Sequence, residues 1–189
     1  MIISFVDIET NGLDTSNCDI LEVAAVMYDS DSARVLCHYS TLLKHDKLYV
    51  PEVITKINGI TEKMCSEYGT PAAMALNTLS QFLFSSHCVV AHNGNAFDRP
   101  IIERHFDEYN IPRPLTEWLD SKVDFKYPDH VKTRKLLHMM AEFNLTIYDG
   151  HQALNDALML CSLVTTTQKV EDINSLLMVR KSNRVKICQ

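Results

Sequence analysis

The first eight residues constrain this chain most. In "MIISFVDI", Ile3 and Phe5 share one parity of an extended segment, while Ile2, Val6 and Ile8 share the other. Side chains alternate across a strand, so apolar residues on both parities require cover on both faces. The segment is therefore expected to be a central strand held between two layers. The same run continues as "FVDIETNGLD", which sets Asp7 and Glu9 on one face, one pleat apart. Two adjacent carboxylates repel. They call for a hard cation between them or for a shared proton, unless the strand has simply ended in solvent.

The patterns that follow build a mixed α/β architecture. "ILEVAAVMY" (20–28) and "RVLCHYSTLL" (34–43) read as strands joined by the turn chemistry of "DSDS", giving an antiparallel three-strand meander. Helical signals then take over with a short "PEVITKI" helix and a longer one over 71–84, for which Thr70 is the expected N-cap and Pro71 the first-turn proline. "HCVVAHN" (87–93) reads as a short buried strand. "AFDRPIIERHFDEYN" after it places Phe97, Ile101, Ile102 and Phe106 at helical spacing. Residues 112–130 are less regular, with 118–125 a strand candidate; 131–143 and 151–166 read as helices. Strands first and alternating elements later imply a mixed sheet flanked by helices, in one domain of 189 residues. The domain is expected over 1–166, with 167–189 a basic extension packed on it or trailing it.

The formal charge of −6 argues against a protein that coats nucleic acid with a uniformly basic surface. A local basic groove remains compatible with it. Residues 165–189 carry Lys169, Arg180, Lys181, Arg184 and Lys186 against Glu171 and Asp172, a candidate for phosphate contact or a solvated basic end. The six cysteines form no CxxC pair, and there is neither a secretory apolar segment nor a run long enough to span a membrane. Free thiols in a reducing cytoplasm, no zinc and no membrane partner are the corresponding expectations.

Two further segments carry chemistry. In "AHNGNAFDRP", Asp98 follows a strand and falls in the first turn of a helix, where an acid is stabilising by about 0.3–1 kcal/mol with no catalytic role. Asn93, four residues earlier, shares the loop with His92 and Gly94. In "GHQALNDALM", His151 and Asp156 are five residues apart, which on one helix would separate them by well over a quarter-turn. For both to serve one site, His151 must lie on the loop, with Gly150 letting the chain bend, and only Asp156 on the helix proper.

Taken together, "DIET", "NGNAFD" and "HQALND" resemble the three ordered motifs of the DEDDh exonucleases, the DnaQ-like relatives of polymerase proofreading subunits. The likeness spans residues 2 to about 165 and extends to "ILEVAAV", "NGIT" and "VVAHN". In "NGIT", Asn58 stands where the family more often has His. The resemblance implies an RNase H-like fold and a 3′–5′ exonuclease acting on single-stranded or frayed ends, releasing nucleoside 5′-monophosphates. Asp7, Glu9, Asp98 and Asp156 are then the expected ligands of two divalent cations, Mg²⁺ or Mn²⁺, as an all-oxygen set suits. His151 is the expected general base, its ordinary pKa of about 6.5 suiting that task. Thr10, Asn11, Gly12 and Leu13, with Asn93 and Phe97, are the expected substrate contacts, Leu13 leaning on the terminal base. Lys122, Lys126, Lys132, Arg134 and Lys135 either line a strand path or form a solvated face.

Two rivals stand beside this reading. A haloacid-dehalogenase-type phosphatase also starts from an acidic strand end, but its second acid does not match Glu9 and Thr10 falls one place early. A docking module on the same fold, without turnover, has no need of four acids and His151. Within the nuclease reading, compactness and a likeness of "DINSLLMVRKSNRV" to exonuclease X relatives favour DNA. RNA trimming of the RNase T or oligoribonuclease type is the alternative. Several relatives pair up, so a homodimer is a further expectation of the resemblance.

Overall fold

The computed structural model describes residues 1–187, with side chains through residue 182. Arg184, Lys186 and Cys188, counted above with the tail and the thiols, lie outside the described side chains. The sheet begins with β1 (Ile2–Thr10), β2 (Ile20–Asp29) and β3 (Arg34–Lys44), followed by the short helices α1 (Glu52–Asn58) and α2 (Glu62–Tyr68). β4 (Thr70–Pro71), α3 (Ala72–Phe84), β5 (Cys88–Ala91), α4 (Asp98–Glu108) and β6 (Glu117–Asp120) come next. The chain then runs through α5 (Leu136–Glu142), α6 (Ala153–Thr167) and α7 (Val170–Ile187).

The six strands lie in the order β4-β3-β2-β1-β5-β6. β1 pairs antiparallel with β2 and parallel with β5, so it is central, as its double-faced apolar pattern requires. Val6 and Ile8 face a core layer with α3 and α4, whereas Ile3 and Phe5 face a second layer with α6 and α7. Burying a side chain such as Phe5 fully contributes about 1.5–3 kcal/mol. Asp7 and Glu9 share the parity of Ile3 and Phe5, which aims them at the α6 side.

Several boundaries differ from the sequence reading, each for a local reason. Thr70 is not an N-cap: Thr70 and Pro71 pair with Leu43 and Lys44 as a two-residue parallel strand, and the Thr70 hydroxyl bonds that of Thr41 at 2.9 Å. Helix α3 accordingly starts one residue later, behind Pro71, without a side-chain cap. The strand expected over 118–125 is Glu117–Asp120, because Asp120 closes a turn by accepting from the Lys122 backbone N–H at 2.9 Å. The helix expected over 131–143 begins only at Leu136; Lys135 before it is extended, and the Arg134 carbonyl is engaged by His92 at 2.7 Å. The helix expected over 151–166 is Ala153–Thr167. Helix α7 packs Ile173 and Leu177 into the second core layer, and Arg180 pairs with Asp124 at 2.6 Å.

Candidate active site

The C-terminal half of β1 carries Asp7 and Glu9 to the end of the central strand, where the register slips between Glu9 and Thr10. That irregularity ends the pairing and releases the chain into the 11–19 loop. Opposite them, α6 presents fully buried Ala153 and Ala157 to the strand. Such small residues let a helix approach closely, and Asp156, between them on the flank, reaches the strand acids. One oxygen from each of Asp7, Glu9 and Asp156 lies within 4.8 Å of the others.

His151 stands outside the helix, in the left-handed region at φ 62°. Its backbone N–H donates to Asp156 Oδ2 at 3.1 Å, so the bend fixes the carboxylate and leaves the exposed imidazole at the rim. His151 and Asp156 thus share one site as the loop-then-helix arrangement requires. With Asp7, they line a cleft of about 290 Å³, which Lys135, Leu137 and His138 also line.

Asp98 opens α4 and is only 3% exposed. Its carboxyl is pushed up to about 7, chiefly by burial, with the backbone amides of Asp98 and Ile8 offsetting part of it. Asp7 is raised well above the usual carboxylate range by burial and then by the charges of Asp98, Asp156, Glu9 and Glu22. Burial likewise lifts Glu9 to about 7, against a lowering hydrogen bond from Asn58, and raises Asp156. The groups acting most strongly on Asp7 are all acids, which makes the cluster costly to ionise as it stands. A divalent cation would relieve that cost, and the all-oxygen donor set fits Mg²⁺ or Mn²⁺. The tight oxygen triangle holds three of the four acids; the Asp98 charge acts on Asp7, and that of Glu9 on Asp98.

The Asn93–Phe97 loop is built for close approach. Asn93 is left-handed at φ 69°, and a Cβ on Gly94 would come within 2.4 Å of Ala91 Cβ. Asp120 gathers the loop by accepting the backbone N–H groups of Asn93 and Asn95 at 3.0 and 3.1 Å. Asn93 Oδ1 accepts from Lys122 Nζ at 3.2 Å, and Phe97 packs on the core beneath. The 11–19 loop is equally well tied. Asn11 donates its backbone N–H to the Asp19 carbonyl and its amide to Asp19 Oδ2 and the Tyr49 carbonyl, each at 3.0 Å. Thr10 Oγ1 donates to the Gly12 carbonyl at 2.6 Å. Leu13 alone stands free at 82% exposure.

Four contributors went unassigned in the sequence. Glu22, inside "ILEVAAV", lies opposite Glu9 in the β1–β2 register and accepts the Ala153 backbone N–H at 3.0 Å. A charged residue amid apolar neighbours was its signal. Asn58, set apart from the catalytic set as a mere family departure, donates to Glu9 Oε2 at 3.3 Å, and its Oδ1 accepts from the Ile60 backbone N–H at 3.0 Å. His92 bonds the Ser121 hydroxyl and the Arg134 carbonyl at 2.8 and 2.7 Å, and burial holds its pKa below the ordinary value. It bridges the second-motif loop to the segment leading into α5. Asp120 had a quieter signal, an acid ending a strand beside a polar loop.

Comparison with known proteins places this geometry. The exonuclease family model matches residues 4–164. The polymerase III epsilon subunit of Treponema pallidum is 27% identical over 173 residues, covering 85% of this chain and 73% of that protein. The PolC-type DNA polymerase III of Mycoplasma genitalium is 39% identical over 111 residues, covering 58% of this chain. The matched part is 7% of that polymerase's length. Among solved structures, a zinc-bound complex of E. coli exonuclease I with single-stranded DNA superposes with TM-score 0.79 at 17% identity, covering 99% of this chain and 45% of that one. Another exonuclease I structure gives TM-score 0.76 at 17% identity, covering 97% of this chain and 44% of that one. These likenesses establish the fold as RNase H-like. The chain belongs to the exonuclease family, in its DnaQ-like, DEDDh branch.

Proposed function

We propose that this protein is a metal-dependent 3′–5′ exonuclease that removes nucleoside 5′-monophosphates from the 3′ ends of single-stranded or frayed DNA. One observation carries the reading: Asp7, Glu9 and Asp156 converge within 4.8 Å, and Asp7 and Asp156 line a cleft together with His151. Two divalent cations, when bound, would supply charge stabilisation for the attacking and leaving oxygens of the phosphodiester. Asp7, Glu9, Asp98 and Asp156 are the residues that would hold them.

The remaining work falls to the chain itself. His151 accepts the proton of the attacking water at its imidazole, from a rim position that the left-handed bend provides. Asp156 is kept oriented by the His151 N–H while doing so. Leu13, exposed on the loop that follows β1, supports the terminal base, and the backbone of Thr10 to Leu13, with Asn93 and Phe97, shapes the seat. Enclosing a free end in this way favours unpaired substrates whose bases can splay.

The preference for DNA is supported by the relatives, which are named as DNA polymerase III components, and by neighbours solved with single-stranded oligonucleotides. The test is a competition between matched 3′-labelled DNA and RNA oligonucleotides in Mg²⁺. Release of mononucleotides from DNA first is the expected result. Faster trimming of RNA would move the substrate assignment, and tight binding without release would leave a docking module.

A further inference from the structure

We infer that Lys135 and His138 form a phosphate-binding wall that carries the strand away from the acid cluster toward Lys132. The inference rests on the exonuclease reading and deepens it by giving the substrate a path. The cleft holding Asp7, His151 and Asp156 has a second wall of opposite character, made by Lys135, Leu136, Leu137 and His138. Lys135 is the extended residue just before α5 and His138 lies on its first turn; both line the same cleft, and both are exposed. A second cleft of about 350 Å³, lined by Lys132, Thr133 and Glu142, adjoins the first through His138. The two depressions therefore run on from each other along the α5 side.

The basic residues of this region are not equivalent. Arg134 lies over the Tyr127 ring, 4.5 Å from its centroid, and donates to the Phe125 carbonyl at 3.2 Å. Lys122 donates to Asn93 Oδ1 at 3.2 Å, and Lys132 donates to the Asp129 carbonyl at 2.8 Å. Among the described residues, Lys135 and His138 have neither an ion pair nor a hydrogen bond from their side chains. They are thus available to a ligand, and they face a wall of carboxylates without pairing to it. Between them Leu137 is apolar and 40% exposed, and a Cβ on Gly150 would meet its Cδ1 at 3.7 Å, which places it against the turn before His151. A cation, an apolar surface and a second donor in one groove match alternating phosphate and base. The matching ligand is the single strand leading away from its terminal nucleotide.

The test is binding of 5′-fluorescein oligothymidylates of four and eight nucleotides, by anisotropy in Ca²⁺, across a salt series. Each phosphate contact on a single strand contributes a slope of about −0.7 in log K against log salt. Lys135→Ala is expected to shallow the slope by about 0.7 and to weaken eight-nucleotide binding about tenfold, with Lys135→Arg restoring both. His138→Ala should also weaken eight-nucleotide binding. Unchanged slopes and affinities in Lys135→Ala would overturn the path. Wild-type cleavage of the same oligonucleotides in Mg²⁺ is run alongside. Its absence would sink the exonuclease reading, while normal cleavage with unchanged slopes would sink the path alone.

Discussion

Glu22 on β2 accepts the backbone N–H of Ala153 at 3.0 Å, tying the first residue of α6 to the strand that lies against Glu9. The bond crosses 131 positions of sequence, and its other oxygen accepts the Ser40 hydroxyl at 3.1 Å. A side-chain acceptor at a helix start satisfies one of its orphan donors and is worth about 0.5–2 kcal/mol. Here it also sets the distance between the helix that carries Asp156 and the strand that carries Asp7.

Glu22→Gln and Glu22→Ala should therefore separate two roles. The amide still accepts from Ala153, so Glu22→Gln should keep the wild-type Tm. It removes a charge that raises the pKa of Asp7, Glu9 and Asp156, so Mn²⁺ binding by calorimetry should begin at lower pH than in wild type. Glu22→Ala should lose about 0.5–2 kcal/mol of stability and weaken Mn²⁺ binding at every pH. Equal Mn²⁺ affinity in Glu22→Ala and wild type would show that the tie does not position the acids.

The acid cluster predicts an unusual pH dependence for the metal-free protein. Glu9 and Asp98 titrate near 7 in the folded chain, and Asp7 and Asp156 are raised as well. A carboxyl whose folded pKa exceeds its unfolded value contributes stability that is full below the unfolded value and is lost as pH rises through the folded one. Metal-free Tm should accordingly fall as pH rises through about 7, where Glu9 and Asp98 titrate, and fall less in Asp7→Asn, which lacks one of the raised acids. Adding Mn²⁺ at pH 7.5 should reverse the loss, by about 2.7 kcal/mol at a hundredfold excess over Kd. If Asp7→Asn gains as much from Mn²⁺ as wild type does, the cluster is not the cation site.

His151 allows a cleaner separation of chemistry from binding. Only its backbone N–H touches Asp156, so replacing the side chain leaves that bond in place. His151→Ala and His151→Gly should both lower kcat by about a hundred- to ten-thousandfold while retaining Mn²⁺ affinity. The glycine variant should be the more stable, because φ 62° is strained for alanine and open to glycine. A loss of Mn²⁺ affinity in both variants would make His151 a ligand instead of a base.

The sequence reached the sheet's centre and the acids because both are local patterns. Double-parity apolar residues mark β1, and Asp7 and Glu9 fall two positions apart on it. His151 was legible as a loop residue because five positions cannot share a helical face. What stayed hidden depends on contacts between distant segments. Glu22 meets Ala153 and Asn58 meets Glu9 only once β2 and α1 fold around β1, and no spacing rule encodes either. Thr70 misled for the same reason: its neighbours suit a cap, but β3 offers a strand partner in its place.

Asn58 is held by Ile60 so that its amide N–H₂ points at Glu9, and Gly59 at φ 74° permits the turn between them. The Asn58 hydrogen bond is the one interaction lowering a Glu9 pKa that burial otherwise raises. Asn58→Ala should shift the acidic limb of the pH–rate profile to higher pH, and Asn58→Asp, which sets a like charge there, should shift it further. Coincident acidic limbs for all three proteins would remove Asn58 from the site.

Leu13 makes the last case, because exposure and function pull in opposite directions there. At 82% exposed it buries almost nothing, so Leu13→Ala should leave Tm unchanged within about 0.5 kcal/mol. The loop beneath it does not depend on it either: Asn11 clamps to Asp19 and Tyr49, and Asp14 accepts from Ser16 and Asn17. A large apolar side chain held out on so well-braced a loop, four residues after Glu9, is free to meet a base. Base stacking against it would contribute about 1–3 kcal/mol, so KM for single-stranded DNA should rise roughly fivefold or more in Leu13→Ala. Leu13→Phe should hold or lower KM. An unchanged KM in Leu13→Ala would take the terminal base off Leu13 and leave the backbone of the loop as its only seat.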